Sequence, residues 1–134
     1  MAPFQHAVVV PDEDLDTAWF WDGLRAGTVL IPRCRPEGHH FFPPSPGCPE
    51  CGSGDIDRVP VTGRGVVYSW VVVHRALDPA YVADVPYTVV AVTLEEGPRV
   101  FGRIENGPLS CGDPVTATIY DVDGVTLLGF ERGR

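Results

Sequence analysis

The stretch from Cys34 to Cys51, CRPEGHHFFPPSPGCPEC, gathers the side chains best able to do chemistry, with three cysteines and two adjacent histidines. Its back half, Cys48-Pro49-Glu50-Cys51-Gly52, is half of a zinc knuckle. Two thiolates separated by two residues can grip one tetrahedral zinc, and the glycine that follows permits the tight turn beneath it. The front half supplies Cys34, but Glu37 stands where a second cysteine belongs. Two complete C-x-x-C pairs would be a strong metal signal; one pair and a lone cysteine leave three chemistries open. Zinc could be held by Cys34, Cys48 and Cys51, with Glu37, His39 or His40 as the fourth ligand, since zinc accepts carboxylate and imidazole as well as thiolate. The ribbon could instead be metal-free and packed on Phe41, Phe42, Pro43 and Pro44. Cys48 and Cys51 could also form a redox pair, but no βαβ pattern surrounds them, and prolines and Glu50 do little to lower a thiol pKa. In every case the stretch is structural, because a closed four-ligand site has no open position at which to activate water.

A search for catalysis elsewhere finds no GxGxxG, GxxxxGK[ST], GxSxG or HExxH motif. Cys111, beside a turn, reads as a small buried hydrophobe rather than a nucleophile. His74-Arg75 reads as a solvated pair at a strand end, and His6 as inert. Asp78, Asp84, Asp121 and Asp123 are accounted for by turns. No catalytic constellation emerges. Net charge is −8 and lysine is absent, so there is no basic run to neutralise a phosphate backbone. The chain begins MAPFQHAVVVPDED, without the positive segment of a signal peptide, and no apolar run approaches the ~20 residues of a membrane span. Four cysteines without a secretion signal fit a reducing compartment. The expectation is a soluble cytoplasmic protein.

The elements that must position the cysteine stretch follow from periodicity and turn residues. At 134 residues the chain is long enough for one core. Residues 1–28 read as an extended arm and a helix, 29–60 as a zinc-ribbon-like, rubredoxin-like module, and 61–134 as a five-stranded OB-fold domain. The fold class is therefore mainly β. The helix is predicted from about Leu15 to Ala26, capped by Asp12 or Asp14 and stopped at Gly27. Its run Trp19, Phe20, Trp21 places aromatics on more than one side, which suits both a core and a partner interface. Short strands at 29–32 and 55–60 frame the cysteines. From Gly63 the period becomes two, with both faces of 66–73 apolar and expected to be covered. A loop at 75–86 precedes strands at 87–94, 99–104, 115–120 and 126–130, with Asp123-Gly124 as a hairpin turn. Five strands of this kind suit a small closed barrel of the OB type.

An aromatic helix, a cysteine ribbon and an OB-like barrel, in that order, resemble the OB-fold, acyl-CoA-associated zinc-ribbon family, once known only as a domain of unknown function. The matching residues are FWDGLRAG at 20–27, Arg33-Cys34, GHHFFPP at 38–44, CPECGS at 48–53, VVYSWVVVHR at 66–75, PYTVVAVTLEEG at 86–97 and GDPV at 112–115. They span nearly the whole chain beyond residue 14. Glu37 departs from the pattern, standing where such proteins carry the second cysteine. The resemblance implies a structural zinc and a non-catalytic subunit in a hetero-oligomer with a thiolase-like or lipid-transfer-protein-like enzyme. Acyl-CoA would be the ligand of that complex, most plainly in an aldolase that cleaves a β-hydroxy acyl-CoA, such as a steroid side-chain thioester. A thiolase or hydroxymethylglutaryl-CoA synthase assembly is the alternative within the family, and a single-stranded nucleic-acid module is the alternative outside it. On this reading the base and the enolate-stabilising groups sit on the partner, and Trp19, Phe20, Trp21 and Tyr81 of the 75–86 loop form part of the interface.

Overall fold

A computed structural model describes residues 3–4 and 9–133. His6, Ala7 and Val8 of the expected arm lie outside the described residues, and Val9 and Val10 are exposed. Helix α1 spans Ala18–Arg25, three residues shorter at its start than the sequence suggests. The reason is local. The Asp14 carboxylate accepts hydrogen bonds from the N–H groups of Asp16 and Thr17 and from the Thr17 hydroxyl, which holds residues 15–17 in a turn. Leu15 is consequently 96% exposed rather than on the helix's apolar face. The other end follows the sequence. Gly27 has φ +88°, Thr28 N–H donates to Gly23 O and Gly27 N–H to Leu24 O, the paired bonds of a Schellman cap.

Strands β1 (Leu30–Cys34) and β2 (Ile56–Pro60) pair antiparallel as a two-stranded ribbon. Five further strands close a barrel: β3 (Arg64–Val73), β4 (Tyr87–Leu94), β5 (Arg99–Ile104), β6 (Pro114–Val122) and β7 (Val125–Arg132). Their order is β3-β4-β5-β7-β6, with β6 returning to β3 and a parallel β5–β7 contact. This is the OB arrangement expected from the sequence. The β6–β7 hairpin turns on Asp123 and Gly124, both with positive φ, as a two-residue loop whose twist matches its strands.

One core serves the helix and the barrel. Phe20 and Leu24 from α1 and Ile31 from β1 pack with Val67, Val90, Val92, Val100, Val115 and Phe130. A smaller core of Cys34, Phe41 and Cys48, flanked by Ile56, sits inside the ribbon. Close packing explains Gly65, whose neighbours across the ladders are Leu94 and Val115. A Cβ there would lie 2.5 Å from the Thr93 carbonyl oxygen. Gly65→Ala is expected to lower stability by about 1–3 kcal/mol, read as a fall in thermal midpoint.

The expectation that both faces of β3 are covered does not hold. A β-bulge between Val67 and Ser69 shifts the register, and the outward side chains of Tyr68 and Val71 are exposed. Among the described residues no helix is long and apolar enough to cross a membrane.

Candidate metal centre

Two turns of matching geometry build the centre. In the second, the N–H of Gly52 donates to Cys48 O at 2.8 Å, and the N–H of Cys48 to Ser53 O at 2.9 Å. In the first, the N–H of Gly38 donates to Cys34 O at 2.7 Å, and the N–H of Cys34 to His39 O at 2.8 Å. Gly38 and Gly52 share a φ of +76°, a conformation open to glycine at little cost. The first turn thus keeps the backbone of a zinc knuckle although Glu37 occupies the ligand position. Glu37 still contributes its N–H, which donates to Cys34 Sγ at 3.4 Å.

The ligand atoms of Cys34, His39, Cys48 and Cys51 lie within 4.8 Å of one another. Cys34 Sγ and Cys51 Sγ are 3.3 Å apart, and Cys48 Sγ is 3.6 Å from His39 Nδ1. A tetrahedral zinc with its usual Zn–S and Zn–N distances needs ligand separations of roughly 3.3–3.8 Å. The two close contacts already lie at that spacing, the remaining separations stay within 4.8 Å, and the donor types fit the metal. Of the three residues open as fourth ligand, His39 joins the sulfurs. Glu37 is exposed, and neither it nor His40 belongs to the group. Alternation explains the choice between the histidines. His40 pairs with Arg33 in extended backbone, so its neighbours His39 and Phe41 point to the opposite side, where Phe41 packs with Cys34 and Cys48.

Protons already report the crowding. Burial pushes the Cys48 thiol up, but hydrogen bonds from the N–H groups of Cys51 and Glu50 and from His39 outweigh it, bringing it to about 7. The hydrogen bond to Cys48, helped by Glu50 and Glu37, raises His39 above its ordinary value despite desolvation. At Cys51 the Ser53 N–H lowers the thiol. Contact with Cys34, burial and Cys48 win, carrying it to about 11. One negative charge is welcome in this cage and a second is not, which is the imbalance a bound dication removes.

The remaining candidate residues fall into structural places. Phe20 is buried in the core of the chain, with its ring against those of Trp21 and Phe42. Trp19 and Trp21 are half-buried; the Arg58 guanidinium sits over Trp19, and Trp21 meets Phe20 edge-on. Tyr81 packs against Tyr87 at the base of the 75–86 loop. Asp78 accepts from the Ala80 N–H to start a single 3-10 turn at Pro79–Tyr81, and Asp121 accepts from Gly124 N–H in the hairpin. Asp84 is spent on Arg103, at 2.6 Å. Cys111 is exposed rather than buried as its sequence setting suggests, because its thiol reaches out to donate to Tyr68 O at the bulge of β3. Cys111→Ser is therefore expected to leave stability and any activity of an assembly unchanged, as a thermal melt and an assay of the complex would show.

Fold and centre together define a protein in which a rubredoxin-like ribbon with a Cys3His donor set precedes an OB barrel. Comparison with known proteins agrees. The family model described as the ChsH2 rubredoxin-like zinc ribbon domain matches residues 21–57, and that of the ChsH2 C-terminal OB-fold domain matches 58–119. The 3-oxo-4,17-pregnadiene-20-carboxyl-CoA hydratase alpha subunit of Mycobacterium tuberculosis is 35% identical over 93% of this chain. This chain spans only 40% of that relative's length. The benzoylsuccinyl-CoA thiolase subunit BbsA of Thauera aromatica is 31% identical over 74% of this chain and 71% of its own. Among solved structures, a chain of the Ltp2-ChsH2(DUF35) aldolase superposes with a TM-score of 0.80 and 32% identity, covering 91% of this chain and 98% of that one. The protein belongs to the ChsH2 (DUF35) family of zinc-ribbon and OB-fold proteins.

Proposed function

We propose that this chain is a non-catalytic accessory subunit of an acyl-CoA-processing enzyme, docked to a thiolase-like or lipid-transfer-protein-like partner whose acyl-CoA site it supports. The observation that carries the reading is the likeness, over 91% of this chain, to a chain of the Ltp2-ChsH2(DUF35) aldolase. The reaction would be retro-aldol cleavage of a β-hydroxy acyl-CoA, such as a steroid side-chain thioester. A base removes the hydroxyl proton, the carbon–carbon bond breaks, and the thioester enolate is stabilised and then protonated. On this reading the partner supplies those groups; of the acids considered for catalysis here, Asp78 and Asp121 are engaged in turns and Asp84 pairs with Arg103.

Zinc is proposed as a structural metal held by Cys34, His39, Cys48 and Cys51. It would tie the two turns to the small ribbon core, leaving no position for water or substrate. Trp19, Trp21 and Tyr81 are proposed to add to the partner contact. A thiolase assembly is the second reading, favoured by the relative that is itself a thiolase subunit.

The test is co-expression with a candidate thiolase-like protein from the same genome, followed by size exclusion, metal analysis and an assay with β-hydroxy and β-keto acyl-CoA thioesters. A stable mixed complex, active only with both chains and on the β-hydroxy substrate, is expected. Elution of this chain alone, beside a fully active candidate partner, would overturn the reading. Trp21→Ala and Tyr81→Ala are each expected to weaken co-elution, and unchanged co-elution would remove those residues from the interface.

A further inference from the structure

The outer surface of β3, β4 and β5 is built from three cross-strand rows. Thr93 lies between Val66 and Arg99, Ala91 between Ser69 and Phe101, and Val89 between Val71 and Arg103. The last row is covered at its β5 end, where Arg103 is buried beneath Phe4 and Tyr81. The rest is bare. Tyr68, Val71 and Phe101 are 52%, 59% and 63% exposed, around an open cleft of about 330 Å³ floored by Val89 and Ala91. An antiparallel sheet facing water normally alternates apolar-in with polar-out, and a contiguous apolar patch on its outer side marks a binding surface.

The charge on this face narrows what it can bind. The Arg99 guanidinium lies 3.6 Å above the Tyr68 ring. Among the described residues it has no carboxylate partner, a state it shares with Arg58, Arg75 and Arg132, whereas Arg25, Arg33, Arg35, Arg64 and Arg103 each have one. Of the four it is the one that borders this cleft. In a chain of net charge −8, a cation left unpaired beside an apolar cleft is complementary to an apolar group next to a carboxylate. Size favours a protein over a small anion. Exposed apolar side chains run along the outer side of β3 from Val66 through Tyr68 to Val71, about 17 Å at ~3.3 Å per residue.

We propose that this face is the docking surface for the thiolase-like partner, which seats an apolar side chain between Tyr68, Val71 and Phe101 and pairs a neighbouring carboxylate with Arg99. The proposal rests on the accessory-subunit reading above and adds the place and chemistry of the contact. Phe101→Ala, Val71→Asp and Arg99→Glu, in the full chain co-expressed with the partner, test it against Leu15→Asp, a still more exposed apolar side chain on the turn before α1 and outside this face. Thermal melts establish that each variant folds. Each of the three is expected to weaken binding about tenfold or more by titration calorimetry, with Leu15→Asp unchanged. If the wild-type chain binds no thiolase-like protein, the functional reading itself falls. If it binds and the three folded variants bind equally well, that reading stands and this surface is overturned. Binding of free CoA or of a single-stranded oligonucleotide, lost in Phe101→Ala while partner binding persists, would overturn it in favour of a small-ligand or nucleic-acid site.

Discussion

Purified with zinc in the growth medium, the protein is expected to carry one metal ion per chain, and Cys48→Ser to carry almost none. Cys48 is the most informative ligand because it is buried and forms the close pair with His39, whose proton a metal must displace. Loss of that thiolate leaves three donors, only one of them buried, and removes the sulfur that anchors the second turn. His39→Ala is expected to lower metal content nearly as far, while Glu37→Gln and His40→Ala leave it intact. The sharpest form of the test exploits the matching turns. Because the Cys34 turn already has the hydrogen bonds and the glycine conformation of the Cys48 turn, Glu37→Cys should install a working second thiolate. The double variant Glu37→Cys/His39→Ala is therefore expected to regain the metal that His39→Ala loses. A cobalt-substituted sample reports the same change by its thiolate charge-transfer bands. Acid should act in a definite direction: protons and metal compete for Cys48 and His39, so affinity falls as pH drops through about 7 and below. Full metal content in His39→Ala, or none in the wild type, would return the ribbon to packing alone.

Much of this architecture was legible in the chain, for identifiable reasons. Strands β4 and β5 were readable at both ends because their apolar runs are bounded by Pro86, Glu95-Glu96-Gly97-Pro98 and Asn106-Gly107-Pro108. Gly27 and Asp123-Gly124 announced a helix end and a hairpin because few other residues accept those backbone angles. What stayed hidden depends on the third dimension. The run Val66 to Val73 is apolar at every position but Ser69, and neither the bulge nor the bare outer face can be read from it. Three adjacent aromatics on α1 did not reveal that Phe20 is the one enclosed by the barrel core. The fourth ligand was ambiguous among Glu37, His39 and His40, yet one signal was available. Glycine follows each lead cysteine by four residues, so His39 and Ser53 occupy corresponding places. The Asp84–Arg103 contact left no local trace, since the two residues lie far apart in sequence and neither belongs to a motif.

That contact sets up the second large effect. Arg103→Met is expected to destabilise the protein by about 3–5 kcal/mol, because it leaves the Asp84 carboxylate buried without its guanidinium. The two side chains are 8% and 1% exposed, and the pair is 2.6 Å apart. Tyr87 lies 3.8 Å from the guanidinium carbon, with Phe4 and Tyr81 at 4.9 Å and 5.5 Å. For a chain of this size the loss corresponds to a fall of roughly 10–20 °C in thermal midpoint. Arg64–Glu95 is the comparison, with both partners about half exposed. Breaking it should cost about 0–1 kcal/mol, a cost that salt reduces further. The buried pair should be indifferent to salt. Its stabilising role is nonetheless conditional. Desolvating two charges offsets most of their attraction, so Asp84→Leu/Arg103→Met, which removes both, is expected to recover most of the stability lost in Arg103→Met. A double variant no better than the single would mean that the guanidinium acts chiefly through the rings of Tyr87, Phe4 and Tyr81. Arg103 would then hold the 75–86 loop and the N-terminal residues to the barrel by stacking rather than by charge.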